Sequence, residues 1–419
     1  MRLGGCLLAL WLPFVALPAG SNDLIDSAEQ LIRSGKPDAA LDLLSRASQP
    51  TNSAEAEDRI GFLYAVLKHQ KEAIGHFSTA IQKDENFAPA HFHLGVAYWL
   101  TSNADAAIEE MQKAVVLAPS NSDYRFRLGG AYRETENYTQ AIAELTRATD
   151  LDPRNHRAWA ELGRAFSAAS KWEDAAVALE HAATLGPENA NVLNEYGLAL
   201  VQIRKANLGI TQFHKVLQRD PNNVTAHMNL GYTDLLTGDF AKAESEYREA
   251  LKLNPNLAGA HYDLALALKQ QDKLEDAEAE LQESWRVDPD LAEAHYTMGI
   301  VHWQLGAFDE TIRDMRAALA IRPTYSEAHY MLGIALKQTG KLDDAVPELK
   351  EAIRLDPSTP GPYNTLGQIY RIKGDKQASE EMFAIGTRLK REKESQLSDR
   401  LEQGMSGIVS SKPMLAPNR

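Results

Sequence analysis

The stretch Ser326–Thr359, SEAHYMLGIALKQTGKLDDAVPELKEAIRLDPST, decides the fold. It is 34 residues long, and patterns like it follow one another ten times without a change of register. Its signposts are Gly333, Ala345, Leu349, Ala352 and Pro357. Steps of 34 from Gly333 land on Gly61, Gly95, Gly129, Gly163, Gly197, Gly231, Gly299 and Gly367, with Ala265 the one exception. Pro119, Pro153, Pro187, Pro221, Pro255, Pro289, Pro323 and Pro357 keep the same interval. A fixed period of this length marks a stacked solenoid, in which each repeat is one supersecondary unit.

The residues of the unit predict two helices. Leu332, Gly333 and Leu336 form an apolar cluster on one face of the first, and Thr339-Gly340 stops it. Leu342, Ala345, Val346, Leu349, Ala352, Ile353 and Leu355 then recur at helical spacing. Asp356-Pro357 ends this second run, because proline disfavours helical geometry in the residue before it. The small residues at the Gly333, Ala345 and Ala352 positions let the two helices approach closely. One such hairpin cannot bury its own apolar faces, so each repeat must pack on its neighbours. The fold class is therefore all-α: a solenoid of stacked antiparallel helix pairs.

These signposts resemble those of tetratricopeptide-repeat (TPR) proteins, and the resemblance covers Ala54 to Lys393, ten tandem units. It implies a right-handed superhelix whose concave side is lined by the first helix of each unit. It also implies a protein partner held along that side.

Outside the array the chain changes character. Residues 1–19 read as a secretory signal peptide: Arg2, an apolar run Leu7–Val15, then Ala16 to Ala19 at the cut. The alternatives are an uncleaved anchor or a buried strand. The run is too short for a comfortable membrane span and Pro13 interrupts it, so no span is expected in the mature chain. The expected location is periplasmic or secreted. Cys6 is the only cysteine, and cleavage would remove it. Residues 20–53 read as an irregular capping hairpin and linker, one residue out of phase with the array. Residues 394–419 read as a charged helical extension followed, from Met405, by a disordered tail. Two irregularities stand inside the array. Pro347 lies within the first turns of a helix, where it would delay or bend it. Gly209 replaces the usual alanine of the fifth unit, where glycine costs the helix about 1 kcal/mol; it reads as a tolerated irregularity, the alternative being a flexible joint between two stiffer halves.

Composition narrows the function. The net charge of −14 and the absence of a basic run interleaved with aromatics argue against nucleic acid. His91, His227, His261, His295 and His329 share one repeat position. Successive hairpins are about 8–10 Å apart, so one metal ion could not gather them, and a structural role is expected. No HExxH, CxxC pair or phosphate-cradling glycine loop occurs, and no cofactor or catalytic residue is assigned. Some sugar transferases carry TPR arrays with an asparagine ladder. Here only Asn229 occupies that position, and the repeats leave no room for a catalytic domain. The lysine-asparagine, asparagine, lysine-arginine set that grips acidic tails in related domains is absent from every consecutive trio.

The expected recognition surface lies on the first helices, at positions that fall three before, one after and four after the Gly333-type residue. These place Phe92, Phe126, Tyr262, Tyr296 and Tyr330 in one row, Arg164 and Tyr232 in the second, and Trp99, Arg133, Lys269, Trp303, Lys337 and Arg371 in the third. Exposed aromatics with a few cations suit partner recognition, of an apolar or aromatic-rich segment. The alternative is that tight winding packs them on their neighbours. The function expected is a non-catalytic scaffold or adaptor binding a protein segment. The alternative is an accessory subunit of an envelope enzyme or of a secretion machine such as one for polysaccharide export.

Overall fold

The computed structural model describes residues 23–47 and 53–409, and all the regular structure in them is helical, 22 helices in order. The expected signal peptide and most of the linker after the first hairpin lie outside the described residues. The chain divides into two compact units, residues 1–212 and 213–419.

The first unit opens with the hairpin α1 (Asp23–Arg33) and α2 (Pro37–Ala47). It continues with α3 (Ala54–Val66) and α4 (Gln70–Lys83), α5 (Ala88–Leu100) and α6 (Ala104–Leu117), α7 (Ser122–Glu134) and α8 (Tyr138–Leu151). Then come α9 (His156–Ala168) and α10 (Trp172–Leu185), α11 (Ala190–Gln202) and α12 (Ala206–Arg219), inside which the first unit ends. The second unit holds α13 (Val224–Thr237) and α14 (Phe240–Leu253), α15 (Ala258–Lys269) and α16 (Leu274–Val287), α17 (Ala292–Gln304) and α18 (Phe308–Ile321). It closes with α19 (Ser326–Gln338) and α20 (Leu342–Leu355), and α21 (Pro360–Ile372) and α22 (Lys376–Val409). Each odd-numbered helix from α3 is thus the first of a repeat.

Within a hairpin, the glycine of the first helix faces a large apolar residue of the second. A Cβ added at Gly333 would lie 2.6 Å from Leu349 Cγ, and one at Gly163 2.5 Å from Leu179 Cγ. Both leucines are fully buried. The period of 34 therefore carries a packing requirement: the missing side chain is the seat of its partner.

The turn between the two helices is built the same way in every repeat. In the opening example, Gly340 N–H donates to the Lys337 carbonyl (3.1 Å) and Lys341 N–H to the Leu336 carbonyl (2.8 Å). In the first unit Lys68 donates to Ala65 (3.0 Å) and His69 to Tyr64 (2.9 Å). This is the Schellman arrangement, which requires a left-handed residue just past the helix. The left-handed residues run Lys68, Ser102, Glu136, Ser170, Arg204, Gly238, Asp272, Gly306, Gly340 and Gly374, at steps of 34. Gly35 plays the same part in the first hairpin but lies 33 residues before Lys68, which is the one-residue phase shift read from the sequence.

Three local expectations change. α20 starts at Leu342, so Pro347 sits inside the helix without delaying it. α22 reaches Val409, five residues into the stretch expected to be disordered (Met405–Val409). Exposed i,i+4 pairs, Arg388–Glu392 and Lys390–Glu394, line its charged part. Gly209 has a packing role beyond its helix propensity. A Cβ there would stand 2.7 Å from the Gly197 carbonyl oxygen and 2.8 Å from Val201 Cγ2, so the glycine lets α12 lie against the backbone of α11.

Candidate functional site

The recurring histidines close the hairpins. His261 Nδ1 meets Glu280 Oε2 at 2.6 Å, and its Nε2 meets the Pro255 carbonyl at 3.1 Å. His91, His227 and His329 make the same pair of contacts, to the carboxylate 19 residues on and the carbonyl six residues back. Arg125 makes both contacts in the third repeat, through Nη1 to Glu144 (2.6 Å) and Nε to the Pro119 carbonyl (2.9 Å). The first repeat exchanges the partners, Glu57 standing on α3 and His76 on α4 at 2.8 Å. His295 departs from the pattern: its Nδ1 has no partner, because Asp314 bonds His302 instead (2.5 Å). Burial pushes its pKa down, and its ring lies 4.6 Å from that of Trp285.

The recognition residues expected from the sequence fall into both units. In each unit, first helices touch the first helices of neighbouring repeats, α3 with α5, α7 with α9, α13 with α15 and α19 with α21. Second helices bridge to the next first helix. The first-helix side is therefore the more closely packed, and side chains on it meet their counterparts one repeat away.

In the first unit that proximity is used for pairing. Arg59 Nη2 meets Asp26 at 2.7 Å, and His93 Nδ1 meets Asp58 at 2.8 Å. Arg133 bonds Glu161 (2.8 Å), Glu161 bonds Arg164 (2.7 Å), and Arg164 bonds Glu195 (2.9 Å), a run across three repeats. Phe92 and Phe126 are buried, which corrects their assignment to an open groove. The Phe92 ring stacks on Tyr124 at 4.3 Å, and the Arg157 guanidinium lies 5.8 Å from the Phe126 ring. Trp99 is half-buried and packs on the same core. Neighbouring first helices bring these rings within reach, so they pack on the next repeat, the alternative that the sequence left open.

The second unit carries a different face. Tyr232, Tyr262, Tyr296, Tyr330, Trp303, Lys269 and Lys337 are all half-buried there. Tyr262 Oη lies 3.4 Å from Thr297 Oγ1 of the next repeat. The Tyr296 ring lies 4.9 Å from that of Tyr325, over which the Arg322 guanidinium sits at 4.9 Å. Tyr330 leans on Gly361, where an added Cβ would come within 2.5 Å of its hydroxyl. Trp303 meets Phe308 at 4.9 Å. Burial pushes the hydroxyl pKa of Tyr262 and Tyr296 up, and that of Tyr325 to about 12. Tyr325 was not singled out in the sequence because it precedes its helix and lies off the helical rows. Its signal was available: the equivalent residues of the two preceding repeats are Leu257 and Leu291.

Comparison with known families agrees with this architecture. A family model described as the Cilia and flagella-associated protein 70 C-terminal domain, a TPR model, matches residues 22–261, more than half of the chain. The tetratricopeptide-repeat model matches residues 234–299 and 302–369. The chain belongs to the tetratricopeptide-repeat family. No curated protein matches this TPR chain. Among solved structures, yeast Tom70 is 14% identical over 94% of this chain and 98% of its own, with a TM-score of 0.47. MamA is 24% identical over 40% of this chain and 97% of its own, with a TM-score of 0.38. YrrB, described as a TPR protein with an unusual peptide-binding site, is 19% identical over 45% of this chain and 96% of its own, with a TM-score of 0.38. The TPR fold is in general a scaffold for protein–protein interaction. No helix among the described residues is long and apolar enough to cross a membrane.

Proposed function

We propose that the protein is a non-catalytic scaffold or adaptor that holds a protein segment along the first helices of its second unit. One observation carries the reading. The first-helix face of the first unit is filled by its own ion pairs, whereas that of the second presents the half-buried rings of Tyr262, Tyr296, Tyr330 and Trp303. Rigid aromatic side chains already held by their neighbours lose little freedom on binding, which is why such rings anchor interfaces. Export with removal of residues 1–19 belongs to the same proposal. It rests on the order Arg2, apolar run, Ala19, and N-terminal sequencing of the mature protein tests it.

Selecting a random peptide library against the full chain tests the binding face. Selected peptides should bind about tenfold more weakly to a Tyr296→Leu, Trp303→Leu variant whose melting temperature stays close to that of the unaltered protein. Peptides that bind both proteins equally would remove this face as the site.

A further inference from the structure

The third row of the first-helix face has the same repeat position in four successive helices: Lys269 on α15, Trp303 on α17, Lys337 on α19 and Arg371 on α21. The cations of this row are not neutralised. Lys337 Nζ bonds the neutral Gln368 Oε1 at 2.6 Å, and Arg371 lies over the Phe383 ring at 5.8 Å. Lys269 is half-buried with no hydrogen-bond or carboxylate partner, and burial pulls its pKa down. Arg133, at the same repeat position of the first unit, is paired with Glu161. A half-buried ammonium without a counter-ion costs stability. In a chain of net charge −14, a row of cations with no carboxylate partner is a place where an external anion would be stabilised.

We propose that the segment held by the second unit is acidic, an extended peptide whose carboxylates meet Lys269, Lys337 and Arg371 and whose apolar side chain meets Trp303. The inference rests on the reading above, that this face takes a protein segment. Successive first helices stand about 10 Å apart, so the row spans about 30 Å, or about nine residues of extended chain at 3.3 Å each. Lys269 and Lys337 are two steps apart, and Lys337 and Arg371 one step. The segment therefore carries two acidic residues about six apart, a third about three beyond, and an apolar residue midway between the first two. The contact to exposed Arg371 would be made at the rim, where ion pairs set orientation and salt dependence, and the other two beside half-buried Lys269 and Lys337.

Two labelled peptides of that spacing, one with glutamates and one with lysines at the charged positions, test the inference by fluorescence anisotropy on the full chain. The acidic peptide should bind at least about tenfold more tightly, and should weaken as salt is raised. Lys269→Glu, Lys337→Glu, Arg371→Glu together should reverse the order of the two peptides. Because Lys269 and Lys337 are both half-buried, Lys337→Gln with exposed Arg371→Glu serves as a second variant, in which the preference should shrink about tenfold. Equal binding of the two peptides, a preference for the lysine peptide, or a preference unmoved by either variant would overturn the inference. Library peptides that are neutral or basic yet need Tyr296 and Trp303 would overturn it while leaving the binding face in place. Library peptides indifferent to those two rings would remove both.

Discussion

The two units make the same turn from different residues. Each turn between the helices of a repeat needs one left-handed residue. The first unit supplies Lys68, Ser102, Glu136, Ser170 and Arg204, at φ between +57° and +65°. The second supplies Gly238, Gly306, Gly340 and Gly374, at +77° to +83°, with Asp272 at +57°. The hydrogen bonds are the same throughout, so the stacking of the helices imposes the turn and the residue only sets its conformational cost. A side chain in this region costs about 1 kcal/mol relative to glycine. The first unit therefore carries local strain at five turns, and the second at one.

The electrostatics are divided the other way. The first unit pairs the charges on its first-helix face and its buried carboxylates Glu57 and Asp58, whereas the second leaves Lys269 on that face without a carboxylate. Among the described residues, every carboxyl whose pKa is raised lies in the second unit: Asp234, Asp263 and Asp314. The first unit is strained in its turns and paired along its first-helix face, and the second is relaxed in its turns and leaves Lys269 unpaired on that face. An unpaired cation on that face is what the proposal of an acidic partner segment draws on.

The largest test of this contrast is a matched pair of substitutions. Arg164→Leu leaves Glu161 and Glu195 facing each other without their shared cation, and should cost about 2 kcal/mol of first-unit stability. Lys269→Leu at the second unit's face should cost nothing or stabilise it, since no partner is lost. Hydrogen exchange, which resolves the two units, measures both. Equal losses would show that Lys269 is as well satisfied as Arg164.

Next comes pH. Burial pushes the Asp263 carboxyl up to about 6, although the Tyr247 hydroxyl beside it pulls the other way. Burial likewise raises Asp234 to about 6, with Lys242 opposing and Asp239 and Glu246 adding to the rise. A carboxyl whose folded pKa exceeds its unfolded value favours the folded state when protonated. That contribution is fully present below about pH 4 and is lost as pH rises through about 6. Asp263→Asn should therefore raise second-unit stability by about 1–2 kcal/mol at neutral pH and by much less at about pH 4.5. Urea denaturation of the two proteins at both pH values decides it, and an equal gain at the two would separate the effect from titration.

A smaller effect is expected at Gly209. Its added Cβ would meet the Gly197 carbonyl, so Gly209→Ala should destabilise the α11–α12 hairpin by about 1 kcal/mol, whatever alanine contributes to helix propensity. A gain in stability would mean that the two helices separate readily, which is what a flexible joint requires. The smallest effects belong to the turns. Ser102→Gly and Glu136→Gly should each stabilise the first unit by about 0.5–1 kcal/mol, and Gly340→Ala should destabilise the second by a similar amount. Thermal melts of the single variants are sufficient, and opposite signs for the two units are the expected result.

Much of the fold is legible in the sequence. Gly333, Leu349 and Pro357, repeated at 34, made the helix pairs and their register legible, because a repeat that packs on copies of itself must place the same small residue against the same large one. The turn was legible at Thr339-Gly340 and much less so at Ser102 or Glu136, where side chain and conformation disagree. The histidine row was legible as structural, while its partners Glu110, Glu246, Glu280 and Glu348 were not noticed, since a spacing of 19 is no helical or strand period. The packing role of Gly209 was not legible, because propensity concerns one helix alone and the backbone it lies against belongs to the helix before it.

The sequence by itself determined the all-α architecture, the ten-repeat register, the out-of-phase first hairpin and the rows on which Tyr262, Tyr296, Trp303 and Lys269 stand. Each of these follows from periodicity, which is a property of one chain read in order. Only the tertiary structure decided which members of those rows are spent on packing and which are left over. Phe92 and Phe126 look like Tyr262 and Tyr296 in the sequence. They differ because their rings are buried against Tyr124 and Arg157 of the next repeat. Arg133 and Lys269 occupy one repeat position with one charge, and differ because Glu161 stands opposite the first and no carboxylate opposite the second. Whether a side chain is satisfied depends on what lies within about 4 Å of it, and in a stacked array that neighbour is supplied by a residue some 30 positions away.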